Sequence, residues 1–330
     1  MALHCPVCLP LHGARSQLSG APLQCHVCGQ SWPALDGVAQ SIEVLVPDAV
    51  QGEALVQCVS ELMDNPQRLQ SWVDGDDPLR TALASGLITY AQAHFGRFTP
   101  EELPHPDLSW LRGWLPADLP AGRVVILGCG PGGELAALAG DPALRDREIA
   151  LSDSNLAALA WGQRLAAEGS LALPWRISAT RLAWTQVRLP ADVQRLMAQA
   201  QWVCADALHP VWPAGEAAVV VTMALIDTVV DPIALIQQVE ALLAPGGVWL
   251  MASPWCWQNR VTPVARQLER FVEDGALEDG LAALLTGGVI DGLGSSLRLE
   301  RREDSVPWRL QMHPRFVANY ALQVMLLRRT

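Results

Sequence analysis

Arg123-Val124-Val125-Ile126-Leu127-Gly128-Cys129-Gly130-Pro131-Gly132-Gly133-Glu134-Leu135-Ala136-Ala137-Leu138 is the stretch on which the reading of this chain turns. An unbroken apolar run predicts a buried strand, the glycines a turn, and the Leu/Ala-rich continuation a helix. Glycines let the backbone approach a ligand closely, and the start of the helix offers unpaired N–H groups. The spacing fits two patterns. Gly128, Gly130 and Gly133 satisfy GxGxxG, the dinucleotide spacing, while Gly128, Gly130 and Gly132 satisfy a tighter GxGxG.

The sequence that follows separates the two. Glu148-Ile-Ala-Leu-Ser152-Asp153-Ser154-Asn155 predicts a second strand ending in a carboxylate placed for two ribose hydroxyls, a step that also suits NAD. Trp202-Val-Cys204-Ala205-Asp206-Ala207 predicts a third strand ending in an acid. Ala217 to Ile226 predicts a fourth, followed by Asp227 and Asp231-Pro232. Ala241-Leu-Leu-Ala-Pro245-Gly246-Gly247-Val-Trp-Leu-Met-Ala-Ser253-Pro254 reads as a helix end, an abrupt turn and a fifth strand.

Over about residues 120–255 this ordered series resembles the class I S-adenosylmethionine (SAM)-dependent methyltransferase family. The resemblance implies an α/β fold: a doubly wound, Rossmann-like sheet with SAM as cofactor. It also implies that Gly128, Cys129, Gly130 and Gly132 line the methionine portion. Asp153 with Ser154 would then meet the ribose and Asp206 with Ala207 the adenine, with Met223 completing the cofactor-binding set. One departure stands out: the family often carries an acid two residues before the first glycine, where this chain has Ile126.

Working outward to the N-terminus, Cys5-Pro-Val-Cys8 and Cys25-His-Val-Cys28-Gly29 form two CxxC pairs sixteen residues apart. Two such knuckles facing each other supply a tetrahedral thiolate cage suited to zinc, with no open position for water, so the expected metal role is structural. An iron–sulfur cluster is the alternative metal reading, and disulfides are disfavoured by an expected cytoplasmic address. His4, His12 and His26 are expected bystanders. Leu3 to Cys8, Leu23 to Cys28 and Trp32-Pro33-Ala34-Leu35-Asp36-Gly37-Val38 resemble the small zinc-ribbon proteins that activate tRNA and protein methyltransferases. That resemblance implies a scaffold or protein-partner contact. Cys58, Cys129, Cys204 and Cys256 read as isolated, mostly buried hydrophobes.

Helical spacing runs from Asp48 to Asn65 and from Pro78 to His94, with Asp77 as expected N-cap and Gly96 as stop. Residues 99–120, rich in proline, read as a connector. The resulting division is a zinc ribbon over 1–46, a helical lid and linker over 47–118, and the methyltransferase domain over 119–330.

Composition narrows the partners. Half of the 330 residues are apolar, and no apolar stretch reaches the length of a membrane span. The net charge is -11 and every basic residue is arginine, so the surface offers little counterion release for nucleic acid. The segment around Arg298, Arg301 and Arg302 is interrupted by Glu300, Glu303 and Asp304 and reads as solvated mixed charge.

The acceptor pocket is expected at the fourth and fifth strand ends, with candidates Met223, Asp227, Ser253, Trp255, Trp257, Asn259 and Arg260, and Tyr90 and His94 from the lid. Asp227, Tyr90 and Asn259 are the catalytic candidates. For Asp227 a helix N-cap is the competing reading, for the two tryptophans core packing, and for His94 a satisfied core histidine. His313 and Arg315 are candidates for binding a substrate carboxylate, with ordinary surface residues the competing reading. Leu225 to Pro232, Ser253 to Pro263, Tyr90 with His94-Phe95-Gly96, and Val306-Pro307-Trp308 resemble the mercaptohistidine N-methyltransferase domain of ovothiol synthase. The resemblance implies a small-molecule acceptor, an imidazole or amino-acid nitrogen. An rRNA, tRNA or protein methyltransferase gripping its target by the ribbon, and a SAM-binding scaffold without turnover, are the other readings.

Overall fold

The computed structural model describes residues 2–36, 40–272, 276–287, 290, 293 and 296–330. Gly37 and Val38 of the ribbon pattern lie outside the described residues, as does the side chain of His12.

The chain opens with a short helix, α1 (Leu9–His12), and three strands, β1 (Leu18–Ser19), β2 (Leu23–Cys25) and β3 (Ser31–Trp32), paired antiparallel in that order. β4 (Ala34–Leu35) and β5 (Ile42–Leu45) follow, then three helices: α2 (Ala49–Asp64), α3 (Arg68–Asp74) and α4 (Pro78–Phe95). β6 (Arg123–Leu127) leads through the glycine loop into α5 (Gly133–Ala137), and β7 (Ile149–Asp153) into α6 (Leu156–Glu168). A hairpin, β8 (Ser170–Arg176) and β9 (Leu182–Arg188), packs on α4. Then come α7 (Ala191–Gln199), β10 (Gln201–Ala205), β11 (Ala217–Met223), α8 (Pro232–Leu242), β12 (Leu243–Ser253), α9 (Leu277–Leu285), β13 (Leu297–His313) and β14 (Phe316–Arg329).

Nine strands form one sheet in the order β13-β14-β12-β11-β6-β7-β10-β5-β4. From β12 to β5 all neighbours are parallel; β14, β13 and β4 close the two edges antiparallel. The chain winds outward from β6 through β7 to β10, then crosses back to β11 on the other side of β6. The strand order therefore reverses between β6 and β11, and the crevice at the C-terminal strand ends opens there. This is the mixed α/β, Rossmann-like sheet expected from the sequence. Along β6, Val124 and Ile126 enter one buried cluster, and Val125 and Leu127 enter the other. Both faces are covered, which is why the strand reads as an uninterrupted apolar run.

Capping fixes the lid helices. Asp48 accepts from the N–H groups of Val50 and Gln51, and Asp77 from those of Leu79 and Arg80, with Pro78 at the first helical position. Leu83, Leu87, Ile88 and Ala91 of α4 are buried as the spacing requires, but so are Gln92, His94 and Phe95. Two faces of this helix are covered, and the second faces the glycine loop.

Two readings need correction. The fourth strand ends at Met223 rather than Ile226, because Ala224 turns with φ +48° and Ile226–Thr228 coils into a 3₁₀ turn. Pro245-Gly246-Gly247 is a looped-out irregularity within β12 rather than a turn before it: Ala217 pairs with Leu243 but Val219 with Val248. The hairpin β8–β9 and the long C-terminal pair β13–β14 carry no turn or alternation signal strong enough to have been read from the sequence. No helix among the described residues is long and apolar enough to cross a membrane.

The ribbon and sheet are continuous: β5, within the segment assigned to the ribbon, lies parallel to β10. The N–H of His4 also donates to the carbonyl of Val211 at 2.9 Å.

Gly162 sets how closely α6 approaches the loop, since a Cβ there would lie 2.3 Å from the Pro131 carbonyl oxygen. In an open helix Gly→Ala is stabilising by about 1 kcal/mol. Here Gly162→Ala is expected to destabilise by about 1–3 kcal/mol, as an overpacked core does, measured by chemical denaturation; a stability gain would show that the contact yields.

Candidate functional site

The loop after β6 is tied to the end of β7. The N–H groups of Gly128 and Cys129 donate to the Ser152 carbonyl at 2.8 and 3.1 Å, and the Gly130 N–H donates to Asp153 Oδ2 at 2.7 Å. Asp153 Oδ1 accepts from the Asn155 N–H at 2.7 Å. Gly130 holds φ +51°, a conformation open to glycine at little cost, and its missing Cβ would point toward Tyr90 and His94.

Above this loop lies a cavity of about 610 Å³, the size of a small-molecule site. Gly128, Gly130 and Glu134 form its floor; Asp153 ends β7, with Ser154 and Asn155 after it; Asp206 and Ala207 follow β10; Met223 ends β11, with Leu225 and Thr228 after it. Val46, Pro47, Gln51 and Leu55 close one side, Tyr90 and His94 of α4 cover the loop, and Trp308 of β13 closes the far end.

Most of the sequence-derived site residues meet here. Gly128, Gly130, Asp153, Ser154, Asp206, Ala207, Met223 and Tyr90 all line the cavity. Cys129 and Gly132 do not: Cys129 is buried, and a Cβ at Gly132 would meet Trp202 at 2.8 Å, so these two shape the loop from behind. Asp227 is buried beside the cavity with Oδ2 accepting from the Cys256 N–H at 2.8 Å and Oδ1 without a partner. It is not a helix N-cap; Asp231 caps α8. Asn259 is exposed, accepts from Gln267 Nε2 at 2.8 Å and is not brought to the cavity. Ser253 and Arg260 also stand outside it, as do Trp255 and Trp257, which pack against the second core cluster, Trp255 donating to Gln323. The segment carrying them turns away because Trp255 adopts φ +52° and Thr262 anchors to the Val229 carbonyl at 2.6 Å. His313 and Arg315 sit at the β13–β14 turn, where His313 Nδ1 accepts the Arg315 N–H.

A family model described as a methyltransferase domain matches residues 101–277, more than half of the chain. The chain belongs to the methyltransferase-domain family. No curated protein matches it. Among solved structures it is similar to a SAM-dependent methyltransferase from Methanosarcina mazei, at 15% identity and TM-score 0.39, covering 63% of this chain and 92% of that one. It is also similar to a chain from the complex between the Haloferax volcanii Trm112 methyltransferase activator and a methyltransferase, at 12% identity and TM-score 0.41, covering 77% and 99%. A third is phosphoethanolamine N-methyltransferase 2 of Haemonchus contortus, in complex with S-adenosyl-L-methionine, at 15% identity and TM-score 0.31, covering 56% and 35%.

Within the methyltransferase fold the cavity is acidic. Glu134, Asp153 and Asp206 line it, and no arginine is among the lining residues. Burial raises the carboxyls of Asp153 and Asp227 above the usual range and pushes Glu134 up to about 8. Burial likewise holds His94 down to about 3, so its ring is neutral. His94 Nδ1 accepts from the Gly133 N–H at 3.1 Å, which leaves the ring proton on Nε2, 3.7 Å from Glu134 Oε1. The packing is close: a Cβ at Gly133 would fall 2.1 Å from the His94 ring. His94 is thus a buried histidine as well as a cavity wall. Tyr90 is pushed up to about 12, first by burial and then by the Asp153 and Asp227 charges.

Sequence reasoning missed Glu134 and undervalued Trp308. The signal for Glu134 was its solitude, a single carboxylate in an otherwise apolar helix beginning at the glycine loop. For Trp308 it was only a local resemblance, while the structure buries its Nε1 without a partner.

The four ribbon cysteines converge. Their Sγ atoms lie within 4.8 Å of one another, and Cys5 and Cys28 are 3.9 Å apart. Tetrahedral metal–sulfur bonds of about 2.3 Å require sulfurs about 3.8 Å apart, so the group can hold a metal ion. The arginines near residue 300 are neutralised: Arg298 pairs with Glu300 at 2.6 Å, and Arg302 with Asp279 and Asp304 at 2.6 Å each.

Glu134 and His94 leave opposite marks on stability. Between the ordinary pKa of 4.5 and about 8, folded Glu134 keeps a proton that the unfolded chain has lost, so its contribution falls as pH rises through that window. His94 acts only below its ordinary 6.5, where the unfolded chain takes up a proton and stability falls with falling pH. From pH 6.5 to 8 the Glu134 effect therefore stands without that of His94. Denaturation there is expected to show stability dropping by up to about 1.4 kcal/mol per pH unit, with Glu134→Gln flattening the slope; an unchanged slope in the variant would overturn it.

Proposed function

We propose that this methyltransferase binds SAM in the cavity at the strand ends and transfers its methyl group to a small-molecule acceptor, an imidazole or amino-acid nitrogen. The observation that carries the reading is the acid-lined, arginine-free cavity at the strand-order reversal of a methyltransferase-domain fold. SAM carries a sulfonium and an ammonium against one carboxylate, and these walls suit a net cation. A dinucleotide would instead bring its pyrophosphate to lining residues that include no arginine to receive it.

Gly128 and Gly130 leave room for the methionine portion, Asp153 and Ser154 for the ribose, and Asp206 with Ala207 for the adenine. Each Asp153 oxygen already accepts one backbone N–H and retains a lone pair for a hydroxyl. Bound SAM supplies an electrophilic methyl group, transferred when the acceptor nitrogen forms its bond to carbon as the carbon–sulfur bond breaks. The chain's share is to hold that nitrogen in line and exclude water. Leu225, Thr228 and Trp308 form the apolar wall for this, and Trp308 Nε1 offers a buried donor for an acceptor group. Tyr90, kept protonated, orients rather than removes protons. Asp227, with one free oxygen, is the group we assign to orient the acceptor or take the proton from a protonated nitrogen. We assign the four-cysteine group a structural zinc.

SAM and its demethylated product, S-adenosylhomocysteine, at about a hundred times Kd are each expected to stabilise the protein by about 2.7 kcal/mol, with NAD giving no shift. Isotope-labelled methyl should enter a nitrogenous metabolite; labelling only of RNA or protein would reject the acceptor class. Asp227→Asn is expected to lower kcat by about 10²-fold with product affinity retained.

Elemental analysis is expected to find one zinc ion per chain. Chelating it should lower Tm and also weaken S-adenosylhomocysteine, because Val46, Pro47, Gln51 and Leu55 of the cavity wall directly follow β5. Unchanged Tm and affinity after confirmed metal removal would refute the structural role.

A further inference from the structure

Among the described residues that line the cavity, Glu134 is the carboxylate with a side-chain oxygen left without a hydrogen-bond partner. It is 2% exposed, lines the cavity beside Gly128 and Gly130, and its Oε2 has no partner. Asp153 is engaged by two backbone N–H groups, and Asp206 by the Leu208 N–H and His209. His94 Nε2 is 3.7 Å from Glu134 Oε1, beyond a hydrogen bond, and Ile126 is buried in the core and offers nothing polar. Buried carboxyls without partners are rare, because the lost solvation is not returned. Glu134 lines a ligand-sized space, and no donor from the described residues reaches its Oε2.

The methyl donor proposed above brings two cationic centres to this floor. Its sulfonium has no N–H or O–H to give, while its α-ammonium has three. We propose that the Glu134 carboxylate receives the α-ammonium of the donor's methionine portion, so that it selects the amino-acid end of the ligand. The inference rests on the SAM reading. His94 is the positioning residue: its Nδ1 holds the Gly133 N–H, and its ring, packed on Gly133, fixes the start of α5 that carries Glu134. The other titratable groups around this carboxyl are Tyr90 from α4, Asp153 from β7 and Cys129 from the loop. None of these is a cation at neutral pH. An arriving ammonium therefore displaces the proton that burial keeps on Glu134, and that proton leaves to solvent.

The test is calorimetry on the full-length, metal-loaded protein with two ligands: S-adenosylhomocysteine, which has the ammonium, and 5′-methylthioadenosine, which lacks the amino-acid end. Glu134→Gln is expected to weaken S-adenosylhomocysteine by about tenfold or more, as loss of a charge-assisted hydrogen bond does. The 5′-methylthioadenosine affinity should stay within about twofold. In the wild type at pH 7, titrations in two buffers of different ionisation enthalpy should show proton release with S-adenosylhomocysteine and none with 5′-methylthioadenosine. That arm decides the matter even if the variant does not fold. Equal weakening of both ligands, or equal proton release with both, overturns the Glu134 assignment and leaves the donor reading standing. Failure of the wild type to bind either ligand removes the donor reading, and Glu134's role with it.

Discussion

The rest of the site depends on the anchoring of one loop. The N–H groups of Gly128, Cys129 and Gly130 all donate to the end of β7, two to the Ser152 carbonyl and one to the Asp153 carboxylate. These bonds fold the chain back immediately after β6 and bring neighbouring strand ends to bear on one crevice. They also consume the backbone polarity of the turn, so the loop can lie under a covering helix without unsatisfied donors. Gly162 and Gly133 then let α6 and the His94 ring press against the loop from two sides. Where the loop sits, and so where a ligand is received, is set by backbone hydrogen bonding and by side chains that are absent.

Charge burial is the second constraint. The cavity brings Glu134 and Asp153 together among lining residues that include no arginine, and Asp227 lies buried beside it. An isolated carboxylate there is costly, which is why these groups bind protons more tightly than in water. Such an arrangement is unfavourable for the empty fold and favourable for a cationic ligand. Carboxyls without a lining arginine suit the cationic donor proposed above better than a phosphate.

The N-terminal cysteine cluster is wired into the same sheet. Leu3, Cys5, Cys8, Leu18, Cys25 and Trp32 share a core with Val211, Trp212 and the faces of β6 and β10. β5 continues the sheet beyond β10, and the chain passes from it directly into the cavity wall. The cysteine cluster and one side of the cavity thus share a continuous core and sheet.

By itself, the sequence determined the order and type of the central elements. Strand, glycine turn and helix, then acids closing successive apolar runs, depend on local preferences and short-range spacing, and the two CxxC pairs are likewise local chemistry. Capping by Asp48 and Asp77 was legible for the same reason. Tertiary structure decided what long-range packing alone can decide. Trp255 and Asn259 follow the fifth strand end, where a site is expected, yet a positive φ at Trp255 carries the segment away from the cavity. Glu134 was visible as a letter, but only the convergence of α4, the glycine loop and β7 around it removes its solvent and leaves one oxygen without a hydrogen-bond partner. The β13–β14 pair, joining residues remote from the cofactor motifs, brings Trp308 to the far end. A residue's type fixes the chemistry it can offer, whereas its burial and its partners fix whether that chemistry is available to a ligand.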